Sequence, residues 1–148
     1  MGALVLTLVS LAGCSEKREK GIIVIGDDPV VLIHGAETTP QAGYELRLGY
    51  DTVSRCLRLL GKEGQISATP VWPTGTKPLL RDGKRGVTLE KFGAVFEGDQ
   101  LSLGGSFISG DQRHQSDSEA VARCMKGPAE RDIVLIGQVD SKTANYRG

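Results

Sequence analysis

Along most of this chain, apolar residues come in short runs broken every few positions by Gly, Pro or Asp. Ile22, Ile23, Val24 and Ile25 form one β-branched run, stopped by Gly26-Asp27-Asp28-Pro29, and Val30, Val31, Leu32 and Ile33 form a second. Both are strand-like in composition. Each is continuous rather than alternating, so pattern alone assigns neither a packing face. Residues 37–43, with Thr38, Thr39, Pro40 and Gly43, read as a loop. Alternation comes next: Tyr44, Leu46 and Leu48 are separated by Glu45 and Arg47, a period of two that puts three apolar side chains on one face. Tyr50-Asp51-Thr52-Val53 leads into a second strand over 55–60. There Leu57 and Leu59 share one face, and Cys56, Arg58 and Leu60 share the other. This is the clearest hairpin in the sequence.

Gly61-Lys62-Glu63-Gly64 turns the chain into a strand over 66–72, where Pro70 has no N–H for a ladder and predicts an edge-like or irregular end. Trp72-Pro73-Thr74-Gly75 leaves that strand. Asp82-Gly83-Lys84-Arg85-Gly86 reads as a turn. Short strands follow at Val87-Thr88-Leu89, at Ala94-Val95-Phe96 and at 100–103, with Leu101 and Leu103 inward. Gly104-Gly105 predicts a bulge or a close backbone approach, and Phe107 and Ile108 close that run. Residues 109–118 are polar. Ser116 and Glu119 have the spacing of a capping box before a helix over 120–125 that ends near Gly127-Pro128. The last apolar segment, 133–139, is apolar on both faces and reads as a central strand. About eight short strands with regular turn signals predict a mainly β domain, a small barrel or sandwich, with one short helix near Cys124. That single domain spans 22–140, and 141–148 reads as a flexible polar tail.

A length of 148 residues fits one domain with a real core. Eighteen Lys plus Arg balance eighteen Asp plus Glu. A neutral chain lacks the basic excess of a nucleic-acid binder.

Residues 1–13 carry no charge and are mostly apolar. They are shorter than the roughly 20 residues of a membrane-spanning helix and fit the apolar region of a signal peptide. The segment ends in Leu11-Ala12-Gly13-Cys14, which resembles the bacterial lipobox. The resemblance implies cleavage between Gly13 and Cys14, with lipid on the thiol and amine of Cys14, so that the membrane is a partner through that lipid. The family's signal opens on Lys or Arg, which is absent here; a start codon further upstream would supply it. Residues 14–21 are polar and charged and read as a lipidated tether. Ser15 after the cysteine, rather than aspartate, points to the outer membrane where a cell has two.

Of the three cysteines, removing Cys14 leaves the even pair Cys56 and Cys124. In an exported chain such a pair is expected to be bridged. Two free buried thiols, or a metal site with His34 and His114, are the competing readings. None of these four residues is spaced as C-x-x-C or H-x-x-x-H, so no metal is expected.

From Cys56 onward the chain is similar to a group of small exported bacterial β domains of uncharacterised function. The residues that carry the resemblance are Cys56-Leu57-Arg58-Leu59, Val71-Trp72-Pro73-Thr74-Gly75, Asp82-Gly83, Phe92-Gly93, Gly98-Asp99, Leu103-Gly104-Gly105, Cys124 and Ile136-Gly137-Gln138-Val139. They span roughly 44–139. The resemblance implies a compact barrel-like domain with its two cysteines bridged, and no particular activity. Ser106 after the glycine pair, and the segment around Cys124, depart from the group's pattern.

Candidate chemistry is sparse. Trp72, the single tryptophan, is a possible ligand contact by stacking on a sugar or peptide, although such a ring more often caps a core. His34 after an apolar strand reads as a structural histidine, and His114 as solvated. Asp27, Asp28 and Asp82 are turn formers. Ser102, Ser106 and Ser109 lack a G-x-S-x-G elbow. The glycine pair lacks a G-x-G-x-x-G context, so no cofactor is expected. The sequence therefore predicts a lipid-anchored envelope protein whose β domain binds an envelope protein or glycan without catalysis. The alternatives are a sugar- or small-molecule-binding module near Trp72 and, further off, a hydrolase with an unrecognised site.

Overall fold

A computed structural model describes residues 21–36, 42–108, 119–125 and 133–144. Cys14 and the cleavage site, most of the tether, the 109–118 segment with His114 and Ser116, and Gly127-Pro128 lie outside those residues. The described chain is mainly β, as its short apolar runs predict. In order it forms β1 (Ile23–Ile25), β2 (Val31–His34), β3 (Ala42–Asp51), β4 (Cys56–Leu60), β5 (Ile66–Pro73), β6 (Lys77–Arg81), β7 (Lys84–Leu89), β8 (Gly93–Phe96), β9 (Gln100–Ile108), α1 (Glu119–Cys124) and β10 (Ile133–Thr143).

Seven strands form one sheet in the order β1-β2-β5-β10-β9-β3-β4, and β4 also pairs with β5. The strands β3, β4, β5, β10 and β9 thereby make a closed circuit. Its seam is short and irregular: Leu59 pairs with Ala68 and Leu60 with Ile66, with a register shift between them. β1 and β2 extend past the circuit, and β6-β7-β8 form a separate three-stranded sheet. The result is sandwich-like rather than a clean barrel. β5 is the pivot, parallel to both β2 and β10.

The continuous runs at β2, β5 and β10 are explained by two apolar layers. Val31, Ile33, Trp72, Val134 and Ile136 belong to the main core, with Leu48, Leu57, Leu59, Leu101, Leu103, Val87 and Val95. The alternate residues Val30, Leu32, Val71 and Ile133 belong to a second layer with Cys56, Cys124 and Met125 of the α1 segment. Strands buried on both faces read as unbroken hydrophobic stretches. Full burial of a Leu or Val side chain contributes about 1.5–3 kcal/mol, and both layers draw on it.

Two local expectations change and a third holds. The segment read as one turn from Asp82 is a two-residue turn, Asp82-Gly83, with φ of 51° and 74°, and Lys84 already belongs to β7. Paired positive φ values match strand twist, which is why Asp-Gly suits this hairpin. β6, which the pattern did not resolve, is its first strand. The polar tail begins later than read: Ser141, Lys142 and Thr143 continue β10 opposite Ser102, Leu101 and Gln100. The glycine pair does mark a close approach, since a Cβ on Gly105 would lie 2.5 Å from the Leu135 carbonyl oxygen.

Candidate functional site

Three polar constellations stand out against this frame. The first lies in the layer beneath α1. Cys56 opens β4 and Cys124 ends α1; they are bridged, with Cα atoms 5.5 Å apart. Beside the bridge, Arg58 is 2% exposed, although its alternation in β4 marked only a second face. Its Nη1 donates to the Cys124 carbonyl and, at 3.2 Å, to the Thr69 hydroxyl. Its Nη2 donates to the Ser54 hydroxyl at 3.3 Å and faces Asp51 at 3.5 Å. Asp51 in turn accepts the Ser54 hydroxyl at 2.6 Å and the Val53 amide at 3.1 Å. The Ser54 hydroxyl bond holds the Asp51 carboxyl below its ordinary value, against the opposing effect of burial. Arg58 is thus a buried hub that ties β4, β5, the β3–β4 turn and the end of α1 together.

The second constellation joins the two sheets. Arg85 of β7 grips Asp28 with two hydrogen bonds of 3.1 Å, from Nε and Nη2. Tyr50 of β3 donates its hydroxyl to Asp28 at 2.5 Å, and the Arg85 guanidinium lies 4.8 Å over the Tyr50 ring. The bidentate Arg85 contact, followed by the Tyr50 hydroxyl, lowers the Asp28 pKa to about 2. Burial, then the facing carboxylate, pushes the Tyr50 phenol up. Asp28 is therefore more than a turn former: it fastens the β1–β2 turn to both sheets. The geometry is that of a clamp, with every charged partner already engaged.

The third is a cavity of about 220 Å³ at the end of β5, between the 73–76 loop, the 89–92 turn and β10. Pro73, Thr74, Glu90, Lys91, Phe92 and Gln138 are among its lining residues. Gly75 (φ 91°) lets the chain turn there, and the Glu90 carboxylate packs over it, 2.8 Å from where a Cβ would stand. The bulge in β10 between Ile136 and Gln138 opens the third wall.

Trp72 sits just behind this cavity and does not line it. Its ring is 0% exposed in the main core, so the possible stacking contact is corrected: the indole is a packing side chain. The alternation of β5 explains this, since Trp72 and Val71 face opposite apolar layers and neither faces solvent. His34 is buried too, and its Nε2 bonds the Ile136 carbonyl oxygen at 2.8 Å. That carbonyl lies across β5 from His34, beside Pro73, which has no N–H to offer. His34 thus serves as the structural histidine the sequence predicted.

The remaining candidates stay apart. Ser102 and Ser106 lie in β9 opposite Ser141 and Leu135, and Asp82 is at the far hairpin. Among the described residues no three His, Cys, Asp or Glu side chains are grouped to hold a metal. Arg58, Arg85, Tyr50 and Glu90 were not singled out as candidates. An arginine inside the otherwise apolar run Cys56–Leu60 was the one available signal, because arginine is rarely fully buried without partners. No family model matches the chain, and no curated protein or solved structure matches it either.

Proposed function

We propose that this chain is a lipid-anchored bacterial envelope protein whose β domain is a binding module without catalytic chemistry. The observation that carries the reading is the Cys56–Cys124 bridge, because such bonds persist in oxidising surroundings outside the cytosol. The lipobox-like Leu11-Ala12-Gly13-Cys14 after an apolar run supplies the anchor. Two or three acyl chains hold stably where one holds marginally. Metabolic labelling with a fatty acid tests it. The parent should incorporate label and stay with membranes through a high-salt wash, and Cys14→Ala should do neither. An unlabelled parent, with a variant that sediments unchanged, would sink the anchor.

The cavity beside Pro73 favours one second reading, a site for a small polyol or sugar. Glu90, Gln138 and Thr74 offer acceptors and donors, and Phe92 an apolar wall. Sites of this kind combine a concave apolar surface with a few placed polar groups. Trp72, the sole tryptophan, lies next to Pro73 in the chain and reports on the site by its emission. Monosaccharide titration should shift that emission in the parent and leave Glu90→Ala with Gln138→Ala unchanged. A parent with no shift across a monosaccharide panel removes this reading.

A further inference from the structure

The three-stranded sheet has two unlike faces. Val87, Val95 and Leu89 point inward and are buried. Strand register places the other set together outside: Lys77 opposite Thr88, Leu79 opposite Gly86, Arg81 opposite Lys84, then Ala94 and Phe96 opposite Thr88 and Gly86. By register this outer face carries three cations, in a chain whose net charge is zero; the nearby Glu97 carboxylate, beside Lys84, is taken up by the Arg85 amide at 2.8 Å. Lys77, Arg81 and Lys84 are all exposed. The Arg81 guanidinium lies 5.7 Å over the Phe96 ring, so charge and apolar surface are interleaved. Lys142 adds a further cation at the margin, where its Nζ donates to the Ala94 carbonyl. Leu80, 54% exposed, lies opposite Arg85 and so belongs to the other face of the sheet.

Edge protection accounts for Lys77, because lysine and Pro78 on an edge strand block pairing with another chain. It does not account for Arg81 facing Lys84. Like charges directly opposite each other across two strands are destabilising. The turn's Asp82 is the nearest acid in sequence. Arg85, by contrast, points to the inner side and is held by Asp28. The opposed pair is favourable once an anion lies over it.

We propose that the outer face of β6, β7 and β8 docks on an anionic phospholipid surface. A face with three cations set around Leu79 and Phe96 suits a layer of anionic headgroups. The proposal rests on the membrane-anchored reading for its biological setting, since a short tether keeps headgroups at high effective concentration. The binding chemistry itself is independent of acylation.

The full-length Cys14→Ala chain, which cannot be acylated at that position, is sedimented with phosphatidylcholine vesicles and with phosphatidylglycerol-rich vesicles. Binding should be stronger on the anionic vesicles, and high salt should abolish the difference. Lys77→Gln, Arg81→Gln and Lys84→Gln combined should weaken the anionic component by on the order of 100-fold. Lys62→Gln with Arg123→Gln, which remove exposed charge elsewhere, should leave it in place. Unchanged Trp72 emission confirms that each variant is folded. Equal binding to both vesicle types, or an anionic component that survives the triple substitution, overturns the proposal. So does binding to soluble polyglutamate without binding to the vesicles, which would assign the face to an acidic polymer. Failure of fatty-acid labelling removes the anchor but leaves this result standing.

Discussion

The two apolar layers of this protein are held by different means. The main core around Trp72, Leu59, Leu101 and Ile136 is closed by strands on all sides and needs only packing. The layer around Val30, Leu32, Val71 and Ile133 is roofed by the six-residue helix α1, too short to be stable by itself. Here a covalent bridge and a buried arginine fix the roof to the sheet. Where the fold supplies enclosure, apolar side chains suffice. Where it supplies only a short lid, crosslink and charge take over.

The largest test of that contrast is in the main core. Trp72→Ala should cost about 3–5 kcal/mol in urea unfolding, because a large ring leaves a cavity that closed strands cannot fill. A loss below about 1 kcal/mol would mean that the enclosure is looser than described. Next is the crosslink. Cys56→Ser with Cys124→Ser should cost about 2–5 kcal/mol, since the bridge closes a loop across a sequence separation of 68. Hydrogen exchange should accelerate first in α1 and around Val30, while amides of β9 and β10 stay protected. Uniform acceleration would break the distinction between the layers.

A smaller effect is expected from Arg58→Met. It keeps the stem but takes the charged donor away from Asp51 and the Cys124 carbonyl, which keep only their neutral donors, and it should cost about 1–3 kcal/mol. The double variant with Asp51→Asn should recover part of that loss; full additivity would deny that Arg58 and Asp51 are coupled. The smallest is a pH effect at the surface clamp. The Asp28 pKa is depressed to about 2 from 3.8, so its contribution is complete above the unfolded value and fades as pH falls towards 2. Asp28→Asn should flatten the acid limb of the stability profile in that window and leave its shape around neutral pH unchanged. An identical acid limb in the variant would show that other carboxylates govern it.

Much of this architecture was legible in the chain. Alternation at Tyr44, Leu46 and Leu48 gave β3, and cysteine parity gave the bridge. What pattern could not give was which layer each continuous run served, because Val30–Ile33 and Ile133–Ile136 are apolar at every position and their faces differ only in what covers them. Arg58 could be placed only on the face it shares with Cys56 and Leu60 for the same reason: a second apolar layer is invisible until the helix is placed. The clamp of Asp28, Tyr50 and Arg85 joins residues far apart in sequence, and no local spacing announces it. Trp72 was the ambiguous residue, and the opposing faces of β5 decided it for the core.

The placement of β10 governs how the chain reaches this state. β5 has Thr69, Pro70 and Val71 beside Ile133, Val134 and Leu135, and β9 zips to the other side of the same strand. Until that segment is available, β5 and β9 each present an unsatisfied ladder, and the closed circuit has a missing stave. Pairings so distant in sequence form slowly. A chain made from its N-terminus must therefore wait for β10, and during that interval the open edges of β5 and β9 are where a chaperone would have most to hold.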